Sequence, residues 1–208
     1  MPATPLPRLY LLTDRHNTSQ RPLASVISQT VDAGVRMVQI REKDLETRPL
    51  IDLVQELMPL IKRDEGKVFI NDRIDLVIAL DADGVHLRSD SLPLPLARRL
   101  IGNKKLIGIS THSVEEARKA EREGADFIVL GPIFETPSKR RYGQPLGLHT
   151  LEAACRGSRV PIFAIGGLQP AHVPAVLASG AYGVAVISAI LQAPRIHDRT
   201  HEFLSQLP

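Results

Sequence analysis

Eight short runs of apolar and β-branched residues punctuate the sequence, at 8–13, 36–41, 67–71, 84–87, 106–110, 127–131, 161–166 and 183–188. Between most of them lie stretches with helical spacing, at 23–33, 48–63, 93–101, 113–123, 148–156 and 170–179. Runs such as LIGIS, FIVLG and PIFAIG are apolar throughout, the pattern of strands covered on both faces. Parallel strands of that kind need crossover connections, which helices supply. Alternation of this order over 208 residues, with no break in composition, predicts one α/β domain spanning 1–208 and folded as a closed (β/α)8 TIM barrel. A doubly wound open sheet is the alternative, but the first strand-to-helix turn lacks a Gly-rich dinucleotide fingerprint. The pairs Ala33-Gly34, Glu123-Gly124 and Ser179-Gly180 stop a helix just before the next strand, as the barrel requires.

Composition narrows the function classes. Aromatic residues make up 4% of the chain and Trp is absent, which argues against a base-stacking nucleic-acid surface. The net charge of +3 suits anionic small molecules, and its basic residues are interspersed with acidic ones. Cys155 is the one cysteine, so neither an internal disulfide nor a cysteine-based metal site is expected, and a reducing compartment is the natural setting. The opening MPATPLPRLYLL lacks a basic stretch followed by a long apolar one, and no window approaches the roughly 20 apolar residues of a membrane span. The expectation is a cytoplasmic protein that binds neither nucleic acid nor membrane, with a homodimer left open. The basic stretch 134–147 (FETPSKRRYGQPLG) is long for a strand-to-helix connection and reads as a lid, or as a solvated loop.

In such a barrel the chemistry sits at the C-terminal ends of the strands, which nominates residues by position. After the second strand, alternation in QIREK points Gln39, Arg41 and Lys43 to one side, a set suited to a diphosphate; Arg41 paired with Glu42 or Asp44 is the competing reading. Asn71-Asp72 offers oxygen donors to Mg2+, or caps the helix beginning near Ile74. His86 and His112 are candidates for proton transfer or for packing, while His16, His149, His172, His197 and His201 look peripheral. Ser110, Thr136, Ser138 and Lys139 follow the fifth and sixth strands. Gly166-Gly167 and residues 186–189 occupy the phosphate corner of the barrel, or are turn glycines and a capping Ser188. No Ser/His/Asp grouping or H-E-x-x-H element supports a hydrolase.

Taken together, YLLTD at 10–14, QIREK at 39–43, INDR at 70–73, GVHL at 84–87, GISTH at 108–112, GPIFETPSK at 131–139, IGGL at 165–168 and VISAI at 186–190 resemble the thiamine phosphate synthase family, in order along almost the whole chain. The resemblance implies a transferase of thiamine biosynthesis. It would couple hydroxymethylpyrimidine diphosphate to a thiazole phosphate, release diphosphate and use Mg2+, with phosphorylated pyrimidine and thiazole molecules as its partners. By the same resemblance Gln39, Arg41, Lys43, Asn71, Ser110, Thr136, Ser138 and Lys139 hold the diphosphate, with Arg41, Lys43, Ser110 and Lys139 in the catalytic set. Asp72 would ligate Mg2+, and Gly167, Ile187 and Ser188 would hold the thiazole phosphate, beside Gly166.

One departure bears on the metal. After GVHL the family has G-Q-x-D, its last Asp a second Mg2+ ligand, where this chain has Arg88-Ser89-Asp90-Ser91. Asp90, one residue away, becomes the candidate second ligand. The same change resembles TenI-like thiazole tautomerases, in which His112 would carry the proton and no diphosphate clamp is needed. A regulator that binds thiazole or thiamine phosphate without turnover is the third reading.

Overall fold

A computed structural model describes residues 5–136 and 144–208. Eight strands form a closed parallel barrel in sequence order: β1 Leu9–Leu12, β2 Met37–Ile40, β3 Lys67–Asn71, β4 Gly84–Leu87, β5 Leu106–Thr111, β6 Phe127–Leu130, β7 Ile162–Ile165 and β8 Gly183–Val186. β8 closes on β1 with Leu9 opposite Val184 and Leu11 opposite Val186. Every strand lies within or within one residue of an apolar run read from the sequence. The final run is shorter than expected, because Ser188 already belongs to a helix.

Around the barrel run α1 Leu23–Asp32, α2 Thr47–Lys62, α3 Ile74–Ala79, α4 Leu94–Ile101, α5 Val114–Arg122, α6 Gly147–Cys155, α7 Val173–Ala178, α8 Ser188–Leu191 and α9 Ile196–Leu204. The glycines expected to stop helices do so in the left-handed region, Gly34 at φ 110°, Gly124 at 94° and Gly180 at 90°. α9 had no counterpart in the sequence reading; it packs beside α1 and α8 and buries Ile196 and Phe203. Among the described residues no helix is long and apolar enough to cross a membrane.

Period-two alternation sorts the strand residues into two cores. Outward positions such as Leu11, Val38, Ile70, Val85, Ile107, Ile128 and Val184 pack against the helices. Inward positions fill the barrel with Tyr10, Met37, Phe69, Phe127, Phe163 and Ala185. Four rings thus occupy the axis, with Phe127 edge-on to Phe69 at 5.1 Å, to Tyr10 at 5.5 Å and to Phe163 at 5.7 Å between centroids. Glycines make room for them: a Cβ on Gly108 would lie 2.2 Å from the Phe127 ring, and one on Gly84 would lie 2.7 Å from that of Phe69. The few aromatic residues of this chain are spent largely on plugging the barrel, which leaves its C-terminal mouth to polar groups.

Candidate active site

Above the ring layer, at the C-terminal ends of the strands, opens a cleft of about 290 Å³. Arg41, Ser110, His112, Thr136, Gly166, Gly167, Ile187 and Ser188 line it together, so eight of the nominated residues converge. Lys43, Asn71, Asp72 and Asp90 do not line it, and Ser138 and Lys139 lie outside the described residues. So does half of the stretch expected to form a lid, residues 137–143.

Arg41 is half-buried at the cleft wall, and its guanidinium makes no hydrogen bond among the described residues. Its pKa is lowered, chiefly because burial strips water from the cation. The competing reading, in which Arg41 pairs with Glu42 or Asp44, is overturned because Arg15 takes both carboxylates. Its Nη1 lies 3.2 Å from Glu42 Oε2, and its Nη2 lies 2.6 Å from Asp44 Oδ2. Glu42 is buried and also accepts hydrogen bonds from the Thr13 hydroxyl at 2.6 Å and the Arg15 backbone N–H at 3.0 Å. Thr13 Oγ1 in turn accepts the Arg41 backbone N–H at 2.9 Å. The Thr13–Glu42–Arg15 network therefore fixes the backbone of Arg41, while its guanidinium makes no hydrogen bond among the described residues and feels the charges of Asp14 and Glu42.

Below Arg41 the inward polar residues form a chain of hydrogen bonds. Gln39 donates its amide to Tyr10 OH at 2.9 Å, Tyr10 OH makes a long 3.4 Å contact with His86 Nδ1, and His86 Nε2 lies 2.9 Å from Ser110 Oγ. Burial holds the Tyr10 phenol well above its ordinary pKa, so the hydroxyl keeps its proton. One tautomer that satisfies both contacts has Tyr10 donating to Nδ1 and the His86 Nε2–H donating to Ser110 Oγ. Gln39 does not stand beside Arg41 as an exposed clamp: it is fully buried, and its Oε1 has no hydrogen-bond partner among the described residues.

His86 is also a packing residue rather than a neutral-pH acid–base group, since burial first and the Arg41 charge second push its pKa down to about 3. That shift makes a prediction. An unfolded histidine takes a proton near pH 6.5, whereas folded His86 refuses it until about pH 3. The unfolded state therefore binds more protons in between, and stability is full above about pH 6.5 and falls as pH drops toward 3. The slope contributed by one such group approaches about 1.4 kcal/mol per pH unit. Urea unfolding of the protein and of His86→Gln at pH 7, 6 and 5 should show a flatter dependence in the variant; equal slopes would refute the assignment.

His112 sits at the exposed rim, its Nδ1 2.6 Å from the carbonyl oxygen of Gly131. That bond places the proton on Nδ1 and leaves Nε2 as the acceptor of the neutral ring. In the wall after β7, Gly166 and Gly167 both have positive φ, 98° and 64°. A Cβ on Gly167 would lie 2.3 Å from the Glu135 carbonyl oxygen, so only glycine fits the close approach of the two loops. His172, expected to be peripheral, stacks on Phe134 with centroids 4.3 Å apart and supports that wall. Ser188 opens α8 without acting as a side-chain cap.

The carboxylates nominated for Mg2+ are committed elsewhere. Asp72, held at φ 58°, accepts hydrogen bonds from Ser91 Oγ on one oxygen and from Arg88 Nε at 3.1 Å on the other. Asp90 is exposed and lies 3.3 Å from the same Arg88 Nε. Mg2+ demands near-octahedral oxygen ligation at about 2.0–2.1 Å; here the first carboxylate is covered by a cation and a hydroxyl donor. Among the described residues no group of three or more His, Cys, Asp or Glu side chains is placed to hold a metal. The Asp72/Asp90 pair does not fit the ion expected of it. The capping alternative fails as well, since α3 begins after Arg73 with no side-chain cap.

Residues 9–190 match the family model described as thiamine monophosphate synthase. The chain belongs to the thiamine monophosphate synthase family. Within that family it is similar to the thiamine-phosphate synthase of Chloroflexus aurantiacus, 44% identical over 89% of this chain and 86% of the relative. It is 39% identical to the thiamine-phosphate synthase of a Roseiflexus species, over 89% of this chain and 79% of that one. Among solved structures, thiamine phosphate pyrophosphorylase from Pyrococcus furiosus superposes with a TM-score of 0.87 at 32% identity, covering 96% of this chain and 94% of its own. Tyr10 and Arg15 take part in the networks below and beside Arg41 and were not singled out by sequence reasoning, which named Glu42 only as a partner for Arg41. Leu12 stands opposite Gln39, so alternation along β1 turns Tyr10 inward, but nothing local marks Glu42 as buried.

Proposed function

We propose that the protein is a thiamine phosphate synthase that joins hydroxymethylpyrimidine diphosphate to hydroxyethylthiazole phosphate in the cytoplasm. The observation that carries the reading is Arg41: a half-buried guanidinium, fixed through its backbone and without a hydrogen-bond partner among the described residues, at the mouth of a barrel of this family. A cation held that way costs free energy unless an anion completes it.

In the reaction the lone pair of the thiazole nitrogen forms a bond to the pyrimidine methylene carbon. The carbon–oxygen bond breaks, and diphosphate leaves with the electron pair. Negative charge grows on the leaving oxygens, so donors already aimed at them lower the barrier. Arg41, Ser110 and Thr136 are assigned that role, with Lys43, Asn71, Ser138 and Lys139 assigned by family resemblance. Gly166, Gly167, Ile187 and Ser188, across the cleft, are assigned to the thiazole phosphate.

Purified protein incubated with both substrates is expected to form thiamine phosphate, measured by chromatography, with one equivalent of diphosphate. The fixed Nδ1 tautomer of His112 favours a second reading, in which its Nε2 relays a proton on a carboxylated thiazole phosphate. Absence of thiamine phosphate, together with isomerisation of that thiazole lost in His112→Ala, would replace the first reading by the second.

A further inference from the structure

We infer that the Arg88 guanidinium stands where a divalent cation would be required, so that this chain binds a diphosphate without a protein-held metal ion. The inference deepens the synthase reading and rests on it for the identity of the ligand. Four observations carry it.

The first is position. Arg88 follows directly on β4, and its Nε lies 3.1 Å from Asp72 and 3.3 Å from Asp90, the two carboxylates that would otherwise face a cation. The second is the identity of residue 91. Ser91 donates its hydroxyl to Asp72 Oδ1 and accepts the Arg88 backbone N–H at 2.9 Å, which closes the turn around Asp72 and adds no negative charge. The third is spare capacity. A guanidinium has five N–H donors, and Arg88 commits only Nε–H to Asp72 and Asp90; its two terminal nitrogens make no hydrogen bond among the described residues. Four donors in a planar fork remain for phosphate oxygens.

The fourth is continuity with the cleft. Arg88 lines a groove that shares Ser110 and Thr111 with the main cleft. Arg88 also contributes to lowering the Arg41 pKa, last after burial and the opposing charges of Asp14 and Glu42. A polyanion placed between two guanidiniums relieves such repulsion. A diphosphate bridging them would meet one guanidinium on each side. A guanidinium brings its own positive charge, so this arrangement needs no ion to be recruited.

The test uses inorganic diphosphate and Mn2+ as probes on the purified full chain. Titration calorimetry should give the same diphosphate affinity, within twofold, in EDTA and in millimolar Mg2+, and Arg88→Ala should weaken binding in EDTA by tenfold or more. Electron paramagnetic resonance should find no Mn2+ bound to the protein at 100 μM, about the lower end of weak extracellular-type sites. The double substitution Arg88→Gly with Ser91→Asp should gain Mn2+ binding. Bound Mn2+ in the unmodified protein that Asp72→Asn abolishes would overturn the inference. So would diphosphate binding lost in EDTA, or binding indifferent to Arg88→Ala. These readouts do not depend on turnover. Metal-independent diphosphate binding without thiamine phosphate formation would sink the synthase reading alone, whereas Mg2+-dependent coupling with protein-bound metal would sink this inference alone.

Discussion

Arg41→Ala is expected to lower kcat/KM for thiamine phosphate formation by about 10²–10³-fold, the range for removing one preorganised donor from a developing anion. The same substitution should leave the melting temperature unchanged or raise it. The guanidinium has no hydrogen bond among the described residues to lose, and burial already disfavours its charged form. Most substitutions at half-buried positions behave the other way and destabilise. Arg41→Lys keeps the charge without the planar fork and should recover only part of the loss. Steady-state kinetics and thermal unfolding on the three proteins check this. A fall in stability matching the fall in activity would mean that Arg41 is a structural residue, and the diphosphate role would have to move to other groups of the mouth.

The contrast between Arg41 and its neighbour Glu42 also marks where reading a sequence stops. All eight strands were legible because strands covered on both faces leave apolar runs that no neighbouring segment imitates. Given the strands, the topology placed Arg41, Ser110, His112, Thr136 and the two glycines at one mouth before any contact was known. What remained hidden depends on partners distant in sequence. Arg15 lies 27 residues from Glu42 yet claims it, which frees Arg41. Gln39 alternates in phase with Arg41, as expected, but one step down the strand means complete burial beneath the cleft rather than a place in it. The short helix Ser188–Leu191 has too few residues to show a period. Arg88 was visible as a departure from the family pattern, but its consequence required seeing it laid over Asp72.

The second large effect concerns the ring layer that supports this mouth. Phe127→Ala is expected to destabilise the protein by about 3–5 kcal/mol, the range for truncating a buried aromatic ring. Phe127 is fully buried and touches four other rings, including His86 at 5.8 Å between centroids. Closed barrel strands cannot move inward to fill the space, which favours the upper part of that range. Gly108→Ala attacks the same contact from the other side, since its Cβ would lie 2.2 Å from the Phe127 ring and 2.8 Å from His86 Nδ1; overpacking of this kind costs about 1–3 kcal/mol. If Gly108 is glycine because Phe127 fills its side-chain volume, the two changes are not additive: in the Phe127→Ala background the new methyl group enters a cavity and should cost less, or stabilise. Urea unfolding of the four proteins in a double-mutant cycle should give a favourable coupling of about 1–3 kcal/mol. Additivity within about 0.5 kcal/mol would show that Gly108 is required by the strand backbone rather than by the ring, and would detach His86 from the packing argument that keeps it buried and neutral.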